Sequence, residues 1–220
     1  RQKGVTIGEG TYFNSPRFNI IDTTRPYALK IGKNVIIAAW VTILTHGYEG
    51  VIKGLYNDLL GSFGEVVIGD NVFIGIGATI LKGCHIGDNV IIGAGSVVAK
   101  DLAPNAVYGG NPVKRICSIE EYHEKRLAVQ ITEAKEQFLS YYRKYGEIPP
   151  KRELHEFFFL FEDRKKELDE HFRKQIHYFD KFELCEEMYW AGHRQQFANY
   201  DEFSKYCLEQ ISENSTGDKI

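Results

Sequence analysis

A period of six residues constrains this chain more than any other feature. From Ile68 the sequence reads IGDNVF, IGIGAT, ILKGCH, IGDNVI, IGAGSV, VAKDLA, which keeps Ile68, Ile74, Ile80, Ile86, Ile92 and Val98 in one phase. The same spacing runs earlier through Ile31, Ile37 and Ile43, and Ile7-Gly8 begins a less regular copy. Small or branched residues recur four places later, at Val35, Val41, Val72, Ala78, Cys84, Val90 and Ser96. A helix needs apolar spacings of three and four, and a half-buried strand needs strict alternation, so six fits neither. It fits a parallel β-helix, a solenoid of hexapeptides. Each short β segment turns a branched side chain inward, and the following Gly lets the backbone turn closely at a corner. A β-sandwich would instead place turn signals about every 8–12 residues.

The repeat is interrupted once. Ile43 and Ile68 stand 25 residues apart, which is not a multiple of six, so the chain leaves the solenoid between residues 48 and 67. Loops thrown out of a solenoid commonly build its binding face, and Leu55, Tyr56, Leu59, Leu60 and Phe63 suit a packed loop better than an untethered one. After Ile116 the period becomes helical. Ser118 and Glu121 form a capping box, and Leu127, Ile131, Ala134, Phe138, Tyr141 and Tyr145 follow at spacings of three and four. Gly146 and Pro149-Pro150 end that helix. Leu154, Phe157, Phe158 and Phe161 open another stripe that continues through Leu168, Phe172, Ile176 and Phe179. Asn199 and Glu202 open a last helix through Phe203, Cys207 and Ile211. The expected organisation is a β-helix over 1–117 with its excursion at 48–67, an α-helical extension over 118–211, and a disordered tail over 212–220. The extension would cap a stackable solenoid end or bind a neighbouring subunit.

Composition narrows the partners. A formal net charge of -3 and a pI near 6.2 argue against a surface organised around nucleic acid or anionic lipid. Cys84, Cys117, Cys185 and Cys207 lie far apart with no CxxC pair, so neither a zinc knuckle nor a disulfide framework is suggested, and reduced thiols in a cytoplasm are expected. No apolar run reaches the roughly 18 residues of a membrane span, and no signal peptide is expected. The chain opens on Arg1 rather than Met, so a short upstream segment is expected to precede it.

From about Tyr12 to Ile116 the chain resembles the hexapeptide-repeat O-acetyltransferases that modify sugars and bacterial surface polysaccharides, kin of the galactoside and maltose acetyltransferases. The matching elements are Tyr12-Phe13-Asn14, Asn19-Ile20-Ile21-Asp22, Thr45-His46-Gly47 with the following loop, Ile92 to Val98, and Gly110-Asn111-Pro112-Val113-Lys114. Asp22-Thr23-Thr24-Arg25-Pro26 and the helical tail look most like members from capsule or O-antigen loci. The resemblance implies a left-handed prism, against the usual right-handed crossover, and homotrimers with each active site between two subunits.

It also implies acetyl-CoA as co-substrate, with no metal, and a sugar or polysaccharide hydroxyl as acceptor. His46 stands where the repeat ends and the excursion begins, and an imidazole can take the hydroxyl proton at neutral pH, so His46 is the expected general base. The backbone N–H of Ile76, after Gly75, maps to the oxyanion donor. Asn14 and Asp22 match positions that hold acceptor hydroxyls, and Tyr12 lines the same pocket. Phe73 matches an aromatic beside the pantetheine, Ala94 and Ala99 match groove positions, and Lys100, Lys114 and Arg115 would meet the phosphates. Cys117 departs from a basic residue in a close relative. The excursion is expected to fold over His46 and limit water. Serine acetyltransferases pair the catalytic His with a second His and an acidic helper, and neither is expected around His46. Two other readings compete: a γ-carbonic-anhydrase-like metal lyase, which needs three His ligands where the repeats offer only His46 and His85, and a noncatalytic binding or scaffold module.

Overall fold

A computed structural model describes residues 4–48, 50–162, 170, 172 and 195–215. Strands of two to five residues follow one another, most of them around three parallel faces. The first coil comprises β1 (Thr6–Ile7), β2 (Tyr12–Phe13) and β3 (Ile20–Ile21), and the second β4 (Leu29–Ile31), β5 (Ile36–Ile37) and β6 (Thr42–Ile43). After an antiparallel ribbon of β7 (His46–Tyr48) and β8 (Gly61–Phe63), joined through helix α1 (Gly50–Tyr56), come β9 (Val66–Ile68), β10 (Phe73–Ile74) and β11 (Thr79–Ile80). The fourth coil is β12 (His85–Ile86), β13 (Val90–Ile92) and β14 (Val97–Val98), and β15 (Ala106–Gly109) pairs antiparallel with β16 (Lys114–Ser118) at the end. Every third strand hydrogen-bonds to its counterpart in the next coil: β1-β4-β9-β12 on the first face, β2-β5-β10-β13-β15 on the second, β3-β6-β11-β14 on the third. The unit is therefore a parallel β-solenoid.

The register puts the repeat residues into columns. Ile7, Ile31, Ile68 and Ile86 align on the first face, Phe13, Ile37, Ile74, Ile92 and Tyr108 on the second, and Ile21, Ile43, Ile80 and Val98 on the third. From the second coil onward these side chains are buried, with Val35, Val41, Val72, Ala78, Cys84 and Val90 filling the space between columns. Removing an aliphatic side chain of this size from water stabilises by about 1.5–3 kcal/mol, so each coil stabilises the next. The Cys84 thiol lies in this core, and burial pushes its pKa upward.

From the second coil onward, the first and second corners each take one residue with positive φ. At the first corner, between the first and second faces, it is Asn34, Asn71, Asn89 and Asn105, with φ between 54° and 57°. Asn tolerates this conformation better than other residues with a side chain. Their amides form a ladder: Asn34 Nδ2 donates to Asn71 Oδ1 at 3.2 Å, Asn71 to Asn89 at 3.1 Å, and Asn89 to Asn105 at 2.8 Å. At the second corner the same place is held by Trp40, Gly77 and Gly95. The sequence reading assigned the turns to the Gly that follows each Ile, whereas several of those glycines serve close stacking: a Cβ on Gly75 would meet Ala94 N at 2.6 Å.

The excursion carries more structure than a loop. It leaves after Thr45 and returns at Gly64, whose N–H donates to Thr45 O at 3.0 Å, so the coil closes as though nothing had been inserted. Val51, Leu55, Tyr56, Leu59, Leu60 and Phe63 stay exposed within this chain.

Contacts divide the chain into Arg1–Glu124 and Lys125–Ile220. Helix α2 (Ile119–Tyr145) opens on the capping box: Ser118 N–H donates to Glu121 Oε2 at 2.7 Å and Glu121 N–H to Ser118 Oγ at 3.1 Å. Gly146, at φ 72°, closes it. The stripe expected to be helical from Leu154 is instead two 3-10 turns, Lys151–Leu154 and Phe158–Leu160. Pro149-Pro150 holds the approach extended, and Leu154, Phe158, Leu160 and Phe161 then enter one core with Ala134, Phe138, Phe172, Phe203 and Cys207. Leu168, Ile176 and Phe179 fall outside the described residues. Helix α3 (Tyr200–Ser215) is capped by Asn199, whose Oδ1 accepts from Glu202 N–H at 2.9 Å, and it extends past 212, where a tail was expected.

The Asn ladder yields a graded test. Asn71→Gly keeps the backbone but loses the ladder, whereas Asn71→Ala loses both, so the Ala variant should be less stable than the Gly variant by about 1 kcal/mol in urea unfolding.

Candidate active site

His46 is brought to its partner by coil stacking. Asp22 follows β3 in the first coil, and Leu44 and Thr45 follow β6 in the second, just before His46 opens β7. Asp22 N–H donates to Ile43 O at 2.9 Å, which fixes the two corner segments one above the other. The Asp22 carboxylate then sits beneath the imidazole: His46 Nδ1 lies 2.5 Å from Asp22 Oδ2. The Asp22 side chain is 2% exposed and that of His46 14%, so the pair is sunk into the third corner with the ring still reachable.

Two threonines hold the carboxylate. Thr24 donates to Asp22 Oδ1 from its N–H at 3.0 Å and from its hydroxyl at 2.6 Å. Thr45 donates to Oδ2 from its N–H at 3.1 Å and from its hydroxyl. Burial alone would raise the Asp22 pKa, but the hydrogen bonds from Thr24, Thr45 and His46 outweigh it and hold the carboxyl far below the usual carboxylate range. An ionised Asp22 accepts from Nδ1–H, which leaves the basic lone pair on Nε2. The expectation that His46 lacks an acidic helper is therefore corrected. Asp22, assigned from sequence to acceptor hydroxyls, has both oxygens engaged inside the chain and lies against the His46 imidazole.

The remaining candidates fall on other parts of the prism. Tyr12 and Phe73 flank Ile36 on the outer side of the second face, aligned by the Tyr12–Ile36–Phe73 register. Asn14, Ile76 and Ala94 stand at the second corner, all exposed. Ile76 N–H donates to no described residue, and the same is true of Ala39 and Ala94 above and below it, so the resemblance rather than the geometry singles out Ile76. Lys114 and Arg115 are exposed on β16, beyond Phe73 along the second face. Ala99 and Lys100 lie exposed at the third corner, two coils beyond His46. One chain thus presents two separate groups, His46 with Asp22 at the third corner and Ile76 with Asn14 at the second. A whole face separates them, at most about 20 Å of extended backbone.

His85, the other solenoid histidine, faces Asp101 at 3.6 Å on the exposed first face, and no group of three His, Cys, Asp or Glu among the described residues could hold a metal. No described helix is long and apolar enough to cross a membrane.

A family model described as bacterial transferase hexapeptide (six repeats) matches residues 65–100. Protein CapG of Staphylococcus aureus is 44% identical over 132 residues, which cover 58% of this chain and 73% of CapG. The galactoside O-acetyltransferase of Escherichia coli K12 is 39% identical over 117 residues, 53% of this chain and 55% of that enzyme. Among solved structures, a maltose O-acetyltransferase from Clostridium difficile 630 shares 40% identity over 52% of this chain and 59% of its own, with a TM-score of 0.44. The chain thus spans nearly three quarters of CapG and little more than half of the two enzymes.

The Asp22 carboxylate has a pH signature. Its pKa is lowered on folding, so its contribution to stability is complete above an unfolded value of about 3.9 and is lost as the pH falls below it. Asp22→Asn should therefore be less stable than the wild type at pH 7, by about 1–3 kcal/mol, with the gap closing in acid. Thermal melts across pH 2–7, a range of about five units around that value, check this.

Proposed function

The chain belongs to the hexapeptide-repeat acetyltransferases, an acetyl-CoA-dependent acyltransferase family, and from that premise we propose that it transfers an acetyl group from acetyl-CoA to a hydroxyl of a sugar or surface-polysaccharide precursor. The observation that carries this reading is the buried Asp22 beneath a reachable His46. His46 Nε2 takes the proton of the acceptor hydroxyl as its oxygen bonds to the thioester carbonyl carbon. Asp22 stabilises the imidazolium that forms. The Ile76 N–H receives the negative charge on the carbonyl oxygen. Collapse of the tetrahedral intermediate breaks the carbon–sulfur bond, and His46 returns the proton to the departing thiolate, so the base is regenerated and no acyl-enzyme is needed.

His46 and Ile76 occupy different corners of one chain, and the reacting carbon must touch both. A second copy that sets its second corner against the third corner of the first resolves this, and a closed ring of three copies satisfies every site. The homotrimer and the left-handed winding are both part of this reading and come with the family. Asn14 would hold an acceptor hydroxyl, and Tyr12 would line the same pocket. Phe73, Ala94 and Ala99 would line the pantetheine groove, with Lys100, Lys114 and Arg115 near its phosphates, where exposed cations suit them. A cytoplasmic location accords with the widely spaced cysteines, three of which are free and buried.

His46→Ala should lower turnover about 10²- to 10⁴-fold in a thiol-release assay with acetyl-CoA and a sugar acceptor, with coenzyme A affinity nearly unchanged. Cys84→Ala should keep most of the activity, because that thiol is core. Near-normal turnover in His46→Ala would end the general-base assignment, and absence of thiol release with any acceptor would favour a binding module.

Light scattering should report three chains. A fully active monomer would exclude the shared site.

A further inference from the structure

Trp40 occupies a position that its backbone makes difficult. Its φ is 63°, in the left-handed region, where the equivalent corner positions of the next two coils hold Gly77 and Gly95. A bulky side chain there is an outlier, and strain of this kind persists where the surroundings enforce it, often at functional sites. The indole does not repay the strain by burial: Trp40 is 60% exposed. It stacks on Phe18, which is 51% exposed, with ring centroids 4.7 Å apart and planes tilted by 27°. Asn19 ties the two together, since its Oδ1 accepts from Val41 N–H at 2.9 Å and so joins the residue after Phe18 to the residue after Trp40.

The surroundings of this shelf are specific. Beyond Trp40 along the corner stand Gly77 and Gly95, and a Cβ built on either would meet nothing within 4 Å, so the wall beside the shelf is bare backbone facing open space. Ile76, whose N–H is assigned to the oxyanion, adjoins that wall, and Gly77 N–H donates to Ala39 O directly beside Trp40. Asn14 lies at the same corner one coil below. An aromatic floor, an open notch and uncharged hydrogen-bonding groups at one side match a ring with an apolar face and hydroxyls on its edge.

We propose that the Phe18–Trp40 stack is the platform on which the pyranose ring of the acceptor lies, its apolar face on the rings and its hydroxyl edge toward Asn14 and the Ile76 N–H, so that Trp40 determines specificity for cyclic sugars over small open-chain alcohols. This rests on the acetyl-transfer reading. It separates from that reading because platform binding can be measured without turnover.

The experiment uses the full-length protein with methyl hexopyranosides and methyl N-acetylhexosaminides as probes and L-serine as a ringless hydroxyl control. The wild type, Trp40→Gly and Trp40→Phe are compared. The fluorescence of the wild type minus that of Trp40→Phe isolates the Trp40 signal, which a pyranoside should change saturably and serine should not. Trp40→Gly should raise the pyranoside KM about tenfold or more while kcat falls less than about threefold and the acetyl-CoA KM stays constant. Trp40→Phe should restore most of the affinity. Because Gly relieves the backbone, Trp40→Gly should also melt about 2–4 °C higher. An unchanged pyranoside KM in Trp40→Gly overturns the platform while leaving acetyl transfer standing. Saturable binding at Trp40 without any transfer supports the platform and sinks the transferase reading. Dissociation of the Trp40→Gly oligomer, or no binding of any pyranoside to the wild type, overturns the platform and makes the stack an interface between copies.

Discussion

In-register stacking of coils is the constraint on which the rest of this molecule depends. Each strand is too short to persist alone. It is held because its hydrogen bonds and its single inward isoleucine are both completed by the coils above and below. A consequence is that side chains equivalent in the repeat fall into columns about 4.8 Å apart. A residue's function is then set by its face or corner rather than by its neighbours in sequence. The three faces carry the stability, and the three corners, where the backbone is solvent-facing and the inward packing rule lapses, are free to carry chemistry. The first corner uses that freedom for an asparagine ladder, the second for exposed amides and an aromatic stack, the third for a histidine and the excursion.

The columns were legible in the sequence because the period reports them directly, residue by residue from Ile31 to Val98. The helical caps at Ser118 and Asn199 were legible for a similar reason: capping is local chemistry, decided within four residues. The Asp22–His46 pair was not. Its members are 24 residues apart, and the first coil is irregular, with a spacing of eight from Phe13 to Ile21 where the later coils have six. Counting in sixes from the regular repeats therefore does not place Asp22 under His46. The positive-φ column was available in the letters, since Asn stands three places after Ile31, Ile68 and Ile86, but the glycine one place after each Ile is the more familiar turn signal. The aromatic run from Phe157 to Phe161 misled for another reason. Its spacing fits a helix, yet the prolines before it and the demand of each ring for its own pocket favour short 3-10 turns.

A charge sunk in the third corner is tolerable only because it is saturated. Asp22 accepts from two threonines through backbone and hydroxyl alike before it meets the imidazole. Its negative charge is thereby built into the fold and faces the imidazole of His46. In the proposed reaction, pre-organisation of this kind lets the base act without reorganising its surroundings. It also explains why the excursion can depart at His46 without blurring the site: Thr45, the last residue before the departure, is fastened to Asp22 on one side and through its carbonyl to Gly64 on the other.

The same division between faces and corners sets His46 with Asp22 and the Ile76 amide at different corners, which do not meet within a chain. A single prism turns its corners away from one another, so groups at adjacent corners cannot converge on one carbon. In the proposed reaction, a base at one corner and an amide at the next meet only through a second prism, and the acceptor would then lie between two rigid walls. Specificity in such a cleft belongs to whatever side chain rises from the opposing corner. In this chain, at the coil below the amide, the residue that rises there is Trp40, in a backbone conformation that glycine adopts in the next two coils. A side chain kept where none is needed for the fold points to a requirement imposed by the cleft.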